Sequence, residues 1–87
     1  MSDELHISSL LVQHRDEAFP ALQALVAARS ELELALNAER RSVILCETDD
    51  QRAMMDHIDA IRDIAGVITV SLIYHHAEPR ADMEQIV

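Results

Sequence analysis

Gly66-Val67-Ile68-Thr69-Val70-Ser71-Leu72-Ile73-Tyr74-His75 is the stretch that decides the fold of this chain. It opens on the single glycine and runs without a breaker through β-branched and aliphatic residues, the pattern of a strand. A related block, Ile7-Ser8-Ser9-Leu10-Leu11-Val12-Gln13, lies near the N-terminus. Both are apolar on both alternating faces apart from a few Ser and Thr. Leu10-Leu11-Val12-Gln13 is matched by Ile44-Leu45-Cys46-Glu47 at an offset of 34 residues, and each segment leads into a helical pattern. The chain reads as two similar strand–helix–strand halves.

Outward from these blocks, Leu5 to Gln13 is a strand and His14-Arg15-Asp16-Glu17 a polar connection. Leu22, Leu25, Val26 and Arg29 fall at helical spacing, with Phe19 one turn earlier, which predicts a helix over Ala18–Arg29. Pro20 is tolerated only in a first turn, so that helix starts near Phe19. Glu31-Leu32-Glu33-Leu34-Ala35-Leu36 alternates as a half-exposed edge strand does. A polar turn over Asn37–Arg41 follows, then a central strand over Ser42–Glu47. Thr48 with Gln51 three residues on reads as a capping box, with Asp49 and Asp50 in the first turn. Met54, Ile58, Ile61 and Ala65 form one apolar stripe, with Met55 and Ile64 beside it. Arg62 in the last turn and Gly66 at C′ end the helix. The last strand is Val67–His75, and Ala77–Val87, with Pro79 and mixed charges, reads as a flexible tail.

The order β-α-β-β-α-β defines an α+β, ferredoxin-like sandwich with strand order 4-1-3-2. Right-handed crossovers place both helices on one face of the sheet. One domain over residues 1–76 accounts for the pattern, and 87 residues leave no room for a second.

Sixteen acids against seven bases give a net charge of −9, and every base is arginine. That balance lacks the basic footprint of a nucleic-acid binder and favours cationic partners. Cys46, the single cysteine, has no internal disulfide partner and reads as a buried, inert thiol. No apolar run approaches the ~18 residues of a membrane span. The acidic Met1-Ser2-Asp3-Glu4 lacks a signal-peptide pattern, which makes the cytoplasm the expected compartment. Neighbours on a strand point to opposite faces, so His75-His76 is a poor metal pair. One glycine rules out a glycine-rich phosphate loop. Asp56, Asp59 and Asp63 form a solvated helix face. No nucleophile–base pair stands out and no cofactor is implied; the chain does not read as an enzyme.

Alternation sorts the strand residues into two sets. Ser8, Leu10, Val12, Ile44, Cys46, Ile68, Val70, Leu72 and Tyr74 form the more apolar set, expected under the helices. Ile7, Ser9, Leu11, Gln13, Val43, Leu45, Glu47, Thr69, Ser71 and Ile73 form the other, apolar in the middle with a polar surround. Two helices leave this second face open to an amphipathic partner, or to a homodimer or the C-terminal tail. The oligomeric state stays open.

The quoted first and last blocks, with the Glu47 junction and Ile58-Asp59-Ala60-Ile61-Arg62, resemble the signature strands and helix of the NapD family over roughly residues 5–76. One departure is Ala28-Arg29-Ser30-Glu31, where the family often has a Pro-Gly turn. The resemblance implies a cytoplasmic chaperone for the catalytic subunit of periplasmic nitrate reductase. It would bind that subunit's twin-arginine signal peptide as a helix on the sheet and hold back export until the molybdenum cofactor is loaded. On that basis the peptide's apolar stripe is expected on Ile7, Leu11, Val43, Leu45 and Ile73. Ser9, Thr69 and Ser71 would permit close approach, and Glu47 would meet the arginines. The alternative is a regulatory small-ligand or oligomerisation domain of the same fold.

Overall fold

The computed structural model describes residues 4–79. Among them the elements are β1 (Glu4–His14), a 3-10 turn (Asp16–Ala18), α1 (Phe19–Ala28), β2 (Leu32–Ala38), β3 (Arg41–Thr48), α2 (Gln51–Arg62) and β4 (Val67–Pro79). The strands form one antiparallel sheet in the order β2-β3-β1-β4. This is the ferredoxin-like order, with β1 and β3 central. β4 runs past the expected His75 end, pairing Glu4 with Pro79; the rest of the expected tail lies outside the described residues.

β1 and β3 bury alternate residues. Leu10, Val12, Ile44 and Cys46 pack with Leu22 and Val26 of α1, Leu32 of β2, and Met54, Ile58 and Ile61 of α2. Both helices therefore share one core on one face of the sheet. Ala65 is exposed and so lies outside the buried stripe assigned to it. α2 also buries His57, which links three segments. Arg29 donates from Nη1 to its Nδ1 at 3.0 Å, and its Nε2 donates to Glu31 Oε1 at 2.7 Å. A guanidinium only donates, so Nδ1 accepts and Nε2 is the nitrogen whose N–H meets Glu31. Ser8, fully buried, donates to Met54 Sδ. No buried side-chain polar atom among the described residues lacks a partner, the state an interior requires.

Three local expectations are corrected. Thr48 stays in β3, pairs with His6, and donates its hydroxyl to the Asp50 carbonyl. The cap is Asp50, whose carboxylate accepts from Arg52 N at 2.9 Å; its extended backbone suits that role. Asp49 and Asp50 thus precede the helix instead of filling its first turn. The helix ends at Arg62 with Asp63 as C-cap. Gly66 therefore sits beyond C′, in the turn closed by Val67 N to Ile64 O.

Gly66 is fixed by two constraints. Its φ of +95° is a region side chains avoid. A Cβ there would come within 2.9 Å of Ala18 Cβ. Its carbonyl accepts from Arg15 N at 2.8 Å, so the turn docks against the end of β1. Gly66→Ala combines backbone strain with overpacking and is expected to cost about 3 kcal/mol. At about 4–8 °C per kcal/mol for a domain of this size, a calorimetric melt should show a drop of more than about 10 °C; an unchanged melt would mean the turn is free to move.

Candidate functional site: the open sheet face

On the face away from the helices, the register builds four rows across the sheet. Reading from β2 to β4, one end holds Ala38, Arg41, Gln13 and Thr69. Next come Leu36, Val43, Leu11 and Ser71, then Glu33, Leu45, Ser9 and Tyr74. The last row holds Glu47, Ile7 and His76. Thr69 donates to Gln13 Oε1 at 3.2 Å across the first row, and Tyr74 and His76 stack along β4 with ring centroids 6.3 Å apart.

Eight of the nine residues expected at the site, Ile7, Ser9, Leu11, Val43, Leu45, Glu47, Thr69 and Ser71, share this face. The central four aliphatics are half-buried only by their neighbours in the sheet. The ninth, Ile73, is the residue inserted where the β1–β4 register shifts between Ser9 and Leu10, and it is 56% exposed.

Bulges in the edge strands change the membership of the face. The insertion of Ile73 moves Tyr74 opposite Ser9, to the open face, not beneath the helices as plain alternation expects. A second shift leaves Ile68 unpaired between Val67 and Thr69, and Ile68 is 64% exposed, so it too leaves the set expected in the core. In β2, Ala35 is inserted and Leu36 lands opposite Val43 with 62% of its surface exposed. A bulge sets two residues against one and reverses the alternation beyond it. Leu36 and Tyr74 therefore join the open face without being expected there, and Glu33, which precedes the β2 bulge, joins it by its pairing with Leu45. The signal for Leu36 and Tyr74 lay only in an unusual edge geometry that composition does not encode.

The electrostatics of the face are uneven. Glu33 stands across from Leu45 on β2 and Glu47 two residues beyond it on β3, beside a cavity of ≈ 190 Å³ also lined by Ile7, Ser30, Glu31 and Leu32. Glu31 is engaged by His57. Arg41 stands at the opposite end of β3. No group of three or more potential metal ligands occurs among the described residues, and no helix among them is long and apolar enough to cross a membrane.

A ferredoxin-like sandwich with one aliphatic sheet face bare is the architecture of a protein that binds through its surface. The family model described as NapD protein matches residues 5–79. Chaperone NapD of Haemophilus influenzae (strain ATCC 51907 / DSM 11121 / KW20 / Rd) is 29% identical over 75 residues, 84% of this chain and 81% of that protein. Chaperone NapD of Escherichia coli (strain K12) is 25% identical over 84 residues, 94% of this chain and 97% of that one. The solution structure of the E. coli Tat proofreading chaperone protein NapD superposes with a TM-score of 0.73 at 26% identity, over 90% of this chain and 84% of that chain. The chain belongs to the NapD family. It is a chaperone, of a family without enzymatic activity.

Cys46, the single cysteine, faces the core. Burial, helped by the Glu31 carboxylate, pushes its thiol from 9.0 up to about 11. The unfolded thiol ionises first, so the folded state holds more protons between these values. The stability this contributes is fully present below pH 9 and is lost as pH rises through 11. Between about pH 9 and 10.5 the wild type should lose more stability than Cys46→Ala in urea titrations, by on the order of 1–2 kcal/mol; parallel losses in the two proteins would contradict a buried neutral thiol.

Proposed function

We propose that this chain acts in the cytoplasm, binding the twin-arginine signal peptide of the catalytic subunit of periplasmic nitrate reductase and restraining export until that subunit has received its cofactor. The observation that carries the reading is the open face, an aliphatic centre of Val43, Leu11, Leu45 and Ile7 with Glu33 and Glu47 at one edge. An amphipathic helix presents a matching apolar stripe. Covering ~300 Å² of the face would contribute roughly 7 kcal/mol before the costs of association. Carboxylates beside it that no other described residue engages complement a cationic peptide, and arginine's planar fork meets a carboxylate at two points where lysine meets it at one. The solved relative is a Tat proofreading chaperone, which supports the same reading.

The test is calorimetric titration of the full chain with that signal peptide. Saturable heat is expected, with affinity at least about tenfold lower when both arginines are changed to lysine. Leu45→Asp should lower affinity about thirtyfold or more while keeping the native circular dichroism spectrum, because it introduces a charge at the centre of the face. Its neighbour Ile44 is wholly buried on the other side, so Ile44→Asp should unfold the domain. No heat with the unmodified peptide would remove the proposal.

A further inference from the structure

The outward face of β3 reads Arg41, Val43, Leu45, Glu47: a cation, two aliphatics and an anion, each two residues from the next. The exposure of the strand alternates in step, with Arg41 and Glu47 exposed and Ser42, Ile44, Cys46 and Thr48 buried behind them. β2 reinforces the gradient by setting Glu33 opposite Leu45. At the other end the turn adds Arg40 and Glu39, which cancel, leaving Arg41 to set the sign. The cleft beyond, lined by Arg15, Arg40, Asp16 and Glu17, is balanced in charge.

We infer that the open face binds its helical ligand with one polarity, the basic N-terminal end over Glu33 and Glu47 and the C-terminal end over Arg41. This rests on the peptide-docking reading above and adds direction and register to it. Six residues of strand separate Arg41 from Glu47, about 20 Å, which equals about 13 residues of helix. A helix whose arginine pair meets the glutamates therefore brings its last turn to Arg41. Its macrodipole runs the same way, positive where the carboxylates stand and negative where the guanidinium stands. Side-chain charge and backbone dipole favour one orientation together. The aliphatic centre alone distinguishes the two orientations poorly, since Val43 and Leu45 present similar surface to either direction.

The probe is a synthetic amphipathic peptide of about twenty residues with an Arg-Arg pair near its N-terminus, carrying a nitroxide at either end. Amide signals of the full chain report which end lies where. The N-terminal label should broaden Glu33 and Glu47 at least about fivefold more than Arg41 and Thr69, and the C-terminal label should reverse the pattern. A peptide of reversed sequence should bind about tenfold more weakly. Glu33→Lys/Glu47→Lys should remove that preference, with a dispersed amide spectrum showing that the variant is folded. If the peptide binds the sheet but both labels broaden both ends equally, polarity is overturned and docking stands. If neither peptide binds, or if the broadening maps to α1 and α2, docking and polarity both fall.

Discussion

A pleated strand shows its side chains alternately to two sides, and two helices can cover only one of them. The rest of this structure follows from that mismatch. β1 and β3 are apolar on both sides, as central strands buried on both faces are. One side is filled by Leu10, Val12, Ile44 and Cys46 beneath α1 and α2. On the other, Leu11, Val43, Leu45 and Ile7 keep an aliphatic character that the core does not use. That side is half-buried at these four positions and is the one the helices leave uncovered.

How far the sequence discloses this differs by strand. In β1 and β3 the alternation is regular over the whole length, so counting by twos sorts the residues into two faces, and eight of the nine residues expected at the site share one face. The edge strands are different. Each carries an inserted residue, Ala35 in β2 and Ile68 and Ile73 in β4. A bulge changes the face of everything beyond it yet needs no diagnostic residue, which is why Tyr74 and Leu36 could not be assigned by counting. The cap of α2 fails for a related reason. Thr48 and Asp50 both suit an N-cap by type, and the choice depends on β3 continuing through Thr48 to pair with His6. Pairing partners settle both cases, and one sequence does not display them.

Charge shows the same division. The net charge of −9 is visible at once and accounts for a general attraction to cations. It says nothing of where the acids stand. Glu31 and Glu33 are close in sequence but serve different ends: Glu31 accepts from His57 and ties α2 to the start of β2, whereas Glu33 stands on the open face opposite Leu45. Only the β2–β3 register brings Glu33 near Glu47, and only the strand's length carries Arg41 well away from both.

The bulges also bear on how a partner approaches. β2 and β4 are edges, and an intact edge invites another strand to continue the ladder. Strand addition draws its affinity from a run of main-chain hydrogen bonds. The inserted residues break that run at Ala35 on one edge and at Ile68 and Ile73 on the other, and a broken run makes a poor template. The same insertions bring Leu36 and Tyr74 to the margins of the open face, one on each edge strand, with Val43, Leu11, Leu45 and Ser9 of the inner strands between them. One device thus closes the edges and shapes the face. It leaves side chains, not a generic extended backbone, as the surface a partner meets.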